Sequence, residues 1–292
     1  LGDALLARIT PVTDFAALKD VDMIIEAVFE DRAVKAEATA KTQAVIRPDV
    51  VFASNTSTLP ISGLAETFAR PNQFIGLHFF SPVDRMQLVE VILGAKTSEE
   101  TLAKALDLVK QIRKTPIVVN DKRGFYTSRC FRTFPDEGMT MVREGVKAAL
   151  VENGGRMAGM PVGPLAVGDE VSMELMYMVR AAERKDMGDA YQEDLAEPVL
   201  ELFVTKLKRL GRKVKAGFYD YPDDGKKALW PGIEQHYPAA KVQPDVEEVK
   251  RRILYRQALE AVRCLAENVI TKPADGDLGA RSEEHTSELQ SH

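Results

Sequence analysis

Two ionisable side chains a short distance apart in the chain, His78 and Glu90, could between them move a proton. His78 follows the apolar run Phe74-Ile75-Gly76-Leu77 and precedes Phe79-Phe80-Ser81-Pro82, whereas Glu90 interrupts the run Leu88-Val89-Glu90-Val91-Ile92. Imidazole changes charge close to neutral pH, and a carboxylate in an apolar strand is costly to bury unless it is paired. On consecutive strands the two read as a general base and the group that orients it. The competing reading is a packed core histidine, with Glu90 facing solvent on an edge strand. A second candidate is Ser54-Asn55-Thr56-Ser57-Thr58-Leu59, which places small hydroxyl side chains after another apolar run. The carboxyl ends of strands are where open α/β sheets take ligands. Here the competing reading is helix capping ahead of Ile61 to Phe68.

These residues need elements to hold them. Val21 to Phe29 is short, apolar and rich in β-branched residues, as expected of a strand buried on both faces of a parallel sheet. Arg32 to Ile46 has helical composition and is closed by Pro48. Strands are expected at Val50 to Ala53, Phe74 to Leu77, Leu88 to Ile92 and Pro116 to Val119, with helices at Leu64 to Phe68 and after Ser98. This alternation predicts a doubly wound α/β sheet. From Gly124 to about Leu210 the apolar spacing is helical, broken by Met160-Pro161-Val162-Gly163-Pro164, and predicts a second, all-α domain. Gly217 to Asp245 reads as a connector. Val249 to Glu267 is helical again and resembles the segment from Arg129 to Val146, a weak internal repeat.

Composition bounds the function. The 292 residues are 45% hydrophobic and 28% charged, room for about two globular domains. Thirty-nine basic against 44 acidic side chains leave a net charge of -5, which disfavours a nucleic-acid partner. The two cysteines, Cys130 and Cys264, lie far apart, so a disulfide framework is not expected and a reducing compartment is. No apolar run is long enough for a membrane span, and no His, Cys and carboxylate cluster has metal-ligand spacing. The expected setting is the cytoplasm. The chain begins at Leu1 without a methionine, and an upstream segment is expected. Residues 281–292 match the conceptual translation of a sequencing-library adapter and are set apart from the fold, with His285 and His292 carrying no chemistry.

Asp22 to Glu30 with Lys35, Ser54 to Leu59, His78 to Glu90, Gly124-Phe125-Tyr126, Pro161-Val162-Gly163-Pro164-Leu165 and Gly217-Phe218-Tyr219-Asp220-Tyr221 stand in a telling order. They resemble L-3-hydroxyacyl-CoA dehydrogenases, in the long bifunctional form whose hydratase/isomerase region precedes the dehydrogenase. The resemblance covers residues 5 to 280 and implies truncation at both ends. It implies the following division: 1–120, the C-terminal part of an NAD-binding Rossmann domain; 121–222, the family's helical C-terminal domain; 223–248, a connector; 249–280, the start of a second helical repeat; 281–292, the tail.

The activity implied is NAD-dependent oxidation of L-3-hydroxyacyl-CoA to 3-ketoacyl-CoA in fatty-acid β-oxidation. His78 matches the family's base, Glu90 its orienting carboxylate, and Ser57 the serine near the substrate's 3-oxygen and the cofactor. Glu30, Lys35 and Asn55 match cofactor-contacting positions, with a solvated helix start as the alternative for Glu30 and Lys35. Ser81 and Ser128 match substrate-binding positions. Many members carry Asn where Ser128 stands, and some carry Asn at Ser81. The glycine-rich turn for the pyrophosphate is not in this sequence, so the chain alone is expected to be inactive and to expose an unpaired sheet edge. The family implies a homodimer or a thiolase partner. The alternatives are a non-catalytic acyl-CoA-binding or scaffolding module and a dehydrogenase of a smaller hydroxy acid.

Overall fold

The computed structural model describes residue 4 and residues 6–284, with side chains through residue 280. The chain forms two compact units, Leu1–Ser128 with Leu265–Gly279, and Arg129–Cys264. The adapter-like tail lies outside the described residues, apart from the helical backbone of 281–284.

The first unit alternates β1 (Met23–Glu26), α1 (Arg32–Gln43), β2 (Val51–Ser54), α2 (Ile61–Ala65), β3 (Phe74–Phe79), β4 (Leu88–Leu93), α3 (Glu99–Gln111) and β5 (Thr115–Asn120). The strands form one sheet in the order β1-β2-β3-β4-β5. Three of the neighbouring pairs are parallel, and β3 with β4 is antiparallel. The reason is length: the connection 80–87 is shorter than the dozen or so residues that a parallel crossover needs. One face carries Val51, Ala53, Ile75, Leu77, Val89 and Val91 against Ala105 and Val109 of α3. The rings of Phe52, Phe68 and Phe74 pack together elsewhere in the unit, with centroids 5.2 to 5.9 Å apart.

Two local expectations are corrected. The strand expected over Val21 to Phe29 is only Met23–Glu26, and it is not buried on both faces. Among the described residues it pairs with β2 alone, so Ile25 is 41% exposed, and Phe29, in the loop beyond it, is 71% exposed. Nor does the Ser54 to Leu59 segment cap α2. The carboxylate of Asp121, after β5, accepts from Ile61 N at 2.8 Å and Ser62 N at 2.7 Å, so a residue distant in sequence satisfies the helix start.

The second unit contains the body of α4 (Thr127–Arg143), then α5 (Ala148–Met157), α6 (Pro164–Val171), α7 (Met173–Met187) and α8 (Glu197–Glu201), which runs into a π-helical turn. The expected connector holds a short hairpin, β6 (Tyr219–Asp220) with β7 (Ala228–Leu229), before α9 (Ile233–His236) and α10 (Val246–Ala266). The chain continues into a helix, α11 (Pro273–Glu284), which through Gly279 belongs to the first unit. The core includes Met139, Val142, Leu165, Phe203, Phe218 and Ile253. Ion pairs between α4 and α10 are reciprocal: Arg129 Nε bonds Glu260 at 2.6 Å, and Arg252 Nε bonds Glu137 at 2.7 Å. The arginines differ by 123 in number, 252 less 129, and so do the glutamates, 260 less 137.

Two of this unit's glycine motifs have one physical account. Gly163 leaves room for the Glu152 carboxylate, which lies 2.4 Å from where a Cβ would stand and accepts from Leu165 N and Ala166 N. Gly217 does the same for Asp169, which accepts from Phe218 N at 2.7 Å and Tyr219 N at 2.9 Å. Tyr219 Oη donates to Glu152 and Tyr221 Oη to Asp169. Burial pushes Asp169 up to about 6 despite those three donors, and it pushes Glu152 up as well. The folded state therefore holds the Asp169 proton more tightly than the unfolded chain, and stability from this group is lost as pH rises from about 4 to about 6. Asp169→Asn is expected to remove up to about 3 kcal/mol of that pH dependence, read as the difference between the two proteins' urea-unfolding free energies across this range. Identical pH profiles would refute it.

Cys130 and Cys264 are buried, and neither is in a disulfide. Among the described residues no helix is long and apolar enough to cross a membrane, and no group of His, Cys and acidic side chains is arranged to hold a metal ion.

Candidate active site

The antiparallel register sets His78 directly opposite Glu90. Directly opposed residues point to the same face, which is why residues twelve apart meet. His78 Nδ1 lies 3.0 Å from Glu90 Oε2. Both are buried, His78 at 8% exposure and Glu90 at 0%, so the reading of a solvent-facing Glu90 is set aside. β4 is not an edge strand: it pairs with β3 on one side and β5 on the other.

Glu90 has three further partners. Its Oε1 accepts from Tyr126 N at 2.9 Å and Thr127 N at 3.1 Å, and its Oε2 accepts from Thr127 Oγ1 at 2.6 Å. The carboxylate thus sits at the amino end of α4, where unpaired N–H groups and the helix dipole favour negative charge. With every partner a donor, Glu90 is held in a fixed position as an acceptor, and it orders His78 as the tautomer with its proton on Nδ1. Among the described residues Nε2 has no protein partner, which leaves its lone pair for a substrate.

The loop after β2 is clamped from three sides. Glu30 Oε1 accepts from Thr56 Oγ1 at 2.5 Å, Ser57 N at 3.1 Å and Thr58 N at 3.2 Å. Ser128 Oγ donates to Ser57 O at 3.1 Å, and Gly124 N donates to Thr58 O at 3.2 Å. Gly124 has φ of 74°, a left-handed conformation that glycine adopts without a Cβ penalty. Asn55 Oδ1 accepts from Phe79 N at 2.9 Å, tying the loop to the residue after His78. Burial raises the Glu30 pKa, but the Thr56 hydroxyl, the Lys35 charge and the two backbone N–H groups outweigh it and hold the carboxyl below its usual range.

Glu30 and Lys35 are therefore not a solvated helix start. Lys35 is 1% exposed, and its Nζ lies 3.0 Å from Glu26 and 3.3 Å from Glu30. Ser81 stands exposed in the turn after β3 and takes no part in this network. Sequence reasoning missed Glu26, Thr127 and Asp121. The sign that picked out Glu90, a carboxylate within an apolar run, was equally present at Glu26 in Ile24-Ile25-Glu26-Ala27-Val28.

Comparison with known proteins bears on this geometry. Residues 2–122 match the NAD-binding domain of 3-hydroxyacyl-CoA dehydrogenase, and residues 124–221 match the C-terminal domain of the same enzyme. The solved (S)-3-hydroxybutyryl-CoA dehydrogenase of Ralstonia eutropha is 32% identical, with a TM-score of 0.70 over 76% of this chain and 78% of that one. The chain belongs to the 3-hydroxyacyl-CoA dehydrogenase family. Fatty acid oxidation complex subunit alpha of Shewanella baltica is 38% identical across 95% of this chain, and the match spans 39% of that relative's length. The 3-hydroxybutyryl-CoA dehydrogenase of Escherichia coli, at 23% identity and a TM-score of 0.75, shares the fold.

The cofactor of this family's matched domain is NAD. The carboxyl edge of the sheet fits part of such a dinucleotide: Asn55, Ser57 and His78 offer polar groups, and exposed Val28 and Phe29 offer apolar surface for a planar ring. The sequence contains no Gly-x-Gly-x-x-Gly turn to cradle a pyrophosphate.

Proposed function

We propose that this chain carries the catalytic residues of an NAD-dependent dehydrogenase that oxidises L-3-hydroxyacyl-CoA to 3-ketoacyl-CoA in fatty-acid β-oxidation, a cytoplasmic activity. The observation that carries the reading is His78, held through Nδ1 by the fully buried, four-times hydrogen-bonded Glu90, with Nε2 left open. His78 Nε2 takes the proton of the substrate's 3-hydroxyl. The resulting imidazolium is stabilised by the charge of Glu90, which is already in place and needs no reorganisation. Ser57, its backbone fixed by Glu30 and Ser128, presents its hydroxyl to the substrate oxygen. What NAD supplies when bound is the acceptor for the hydrogen and the two electrons that leave C3.

Asn55, Glu30 and Lys35 belong to the cofactor side of the site in this reading, and Ser81 and Ser128 to the substrate side. Ser128 acts chiefly by holding the Ser57 carbonyl, a role that a hydroxyl fills as well as an amide. The relatives' name places them in a complex, and a thiolase subunit or a second copy of the chain is the partner this reading implies. The division at residues 120, 222, 248 and 280 into Rossmann part, helical domain, connector and second repeat belongs to the same proposal.

The sequence has no glycine-rich turn, so the chain alone is expected to show no turnover. The intact protein is expected to reduce acetoacetyl-CoA as NADH absorbance falls. Equal rates from the two would contradict this division of the site. A folded, NAD-binding intact protein that reduces only a small free keto acid would instead support a dehydrogenase of smaller hydroxy acids, and one that reduces neither would support a binding module.

A further inference from the structure

Outside the His78 and Glu90 pair, the first unit holds a second buried charged cluster, which the proton transfer does not use. Glu26, the last residue of β1, is 7% exposed. Its Oε1 accepts from Val28 N at 2.7 Å and from Lys35 Nζ at 3.0 Å, and its Oε2 accepts from Ser54 Oγ at 2.7 Å. Lys35, on α1, reaches from Glu26 to Glu30 Oε2 at 3.3 Å. The other oxygen of Glu30 gathers the Thr56 hydroxyl and the backbone N–H groups of Ser57 and Thr58. The cluster is a carboxylate, an ammonium and a carboxylate in series, ending on the backbone of Ser57.

We propose that Glu26 is a positioning residue for Ser57, acting through Lys35 and Glu30. The inference rests on the dehydrogenase reading for the role of Ser57, but the relay itself does not. Two buried charges and a half-buried third are an expensive way to fill the space beneath a loop, because apolar residues of similar volume often do so at no loss of stability. They do what apolar packing cannot: they fix a carboxylate acceptor at one place, so that two successive N–H groups and a hydroxyl point to it. Without the Glu26 charge, Lys35 has Glu30 as its one carboxylate partner in the cluster. The Glu30 carboxylate then moves toward the ammonium and away from the loop.

The test is Glu26→Gln in the intact protein, read in two ways. Amide hydrogen exchange at Ser57 and Thr58 is expected to quicken by about tenfold or more, while the Glu90-bonded amides of Tyr126 and Thr127 keep the wild-type rate. In turnover with NAD and L-3-hydroxybutyryl-CoA, kcat is expected to fall about tenfold or more with KM within a few-fold of wild type, because loop placement matters most at the reacting atoms. Unchanged exchange at Ser57 and Thr58 overturns the proposal, as does a uniform rise in exchange across the unit, which would show general loosening. If Glu26→Gln does not fold, the double variant Glu26→Gln with Lys35→Met removes the isolated buried ammonium. It is expected to fold and still to free the two amides, and retained protection there likewise overturns the proposal. A wild-type protein without turnover would count against the dehydrogenase reading alone, since the exchange result stands apart from it.

Discussion

Replacing His78 with alanine in the intact protein is expected to lower kcat for L-3-hydroxyacyl-CoA oxidation by about 10²–10⁴-fold, the usual worth of a positioned general base. KM is expected to stay within a few-fold, because the imidazole interacts most strongly with a proton that moves in the transition state. The structure gives reason to expect the higher end of that range. Nδ1 is engaged by Glu90, Nε2 is free among the described residues, and neither Ser57 nor Ser128 can take the proton at neutral pH. Removing the buried ring leaves a cavity and costs some stability, but Glu90 keeps three donors and the unit is expected to fold. Unfolding midpoints measured beside the kinetics separate the two effects: a midpoint near that of wild type with the rate lost assigns the loss to chemistry.

The second large effect belongs to Glu90. Glu90→Gln keeps the shape and replaces one acceptor oxygen with an NH2 group, while all four partners of Glu90 in the structure are donors. In one orientation the amide faces Tyr126 N and Thr127 N. In the other it faces His78 and the Thr127 hydroxyl and favours the imidazole tautomer with its proton on Nε2. A wrong tautomer has the base pointing away from substrate, and loss of the carboxylate removes the charge that stabilises the imidazolium, so kcat is expected to fall by about 10³–10⁴-fold. Glu90→Ala adds a stability cost of about 3–5 kcal/mol, because it strands buried donors at the start of α4. Chemical denaturation of the two variants checks the order, with Ala below Gln below wild type. A Glu90→Gln protein within tenfold of the wild-type rate would show that Glu90 is a helix cap and no more.

How much of this could be read from the sequence differs from residue to residue. The alternation of strands and helices is written in local composition, and the His78 and Glu90 pairing in one histidine and one misplaced carboxylate. The antiparallel β3 and β4 pair was implied by a connection too short for a crossover, but spacing alone did not prompt that inference. Asp121 capping α2 and Ser128 holding Ser57 join residues about sixty and seventy apart, and no periodicity marks such contacts. Glu30 and Lys35 matched cofactor-contacting positions, and a solvated helix start stood as the alternative because charged residues there usually are solvated. The burial of Lys35 follows from Glu26, whose charge needs it, and Lys35 in turn bonds the half-buried Glu30. The exposed edge of β1 could not be read from an apolar run, since burial on both faces depends on which strands stand beside it; an unpaired edge was expected from the resemblance instead.

The most direct test follows NADH formation from L-3-hydroxybutyryl-CoA and NAD by the intact protein, beside equal amounts of folded His78→Ala. The account predicts steady turnover by the first and a rate at least about a hundredfold lower from the second. Equal rates from the two would contradict the assignment of His78 as the base. No turnover from an intact protein that is folded and binds NAD would contradict the dehydrogenase itself.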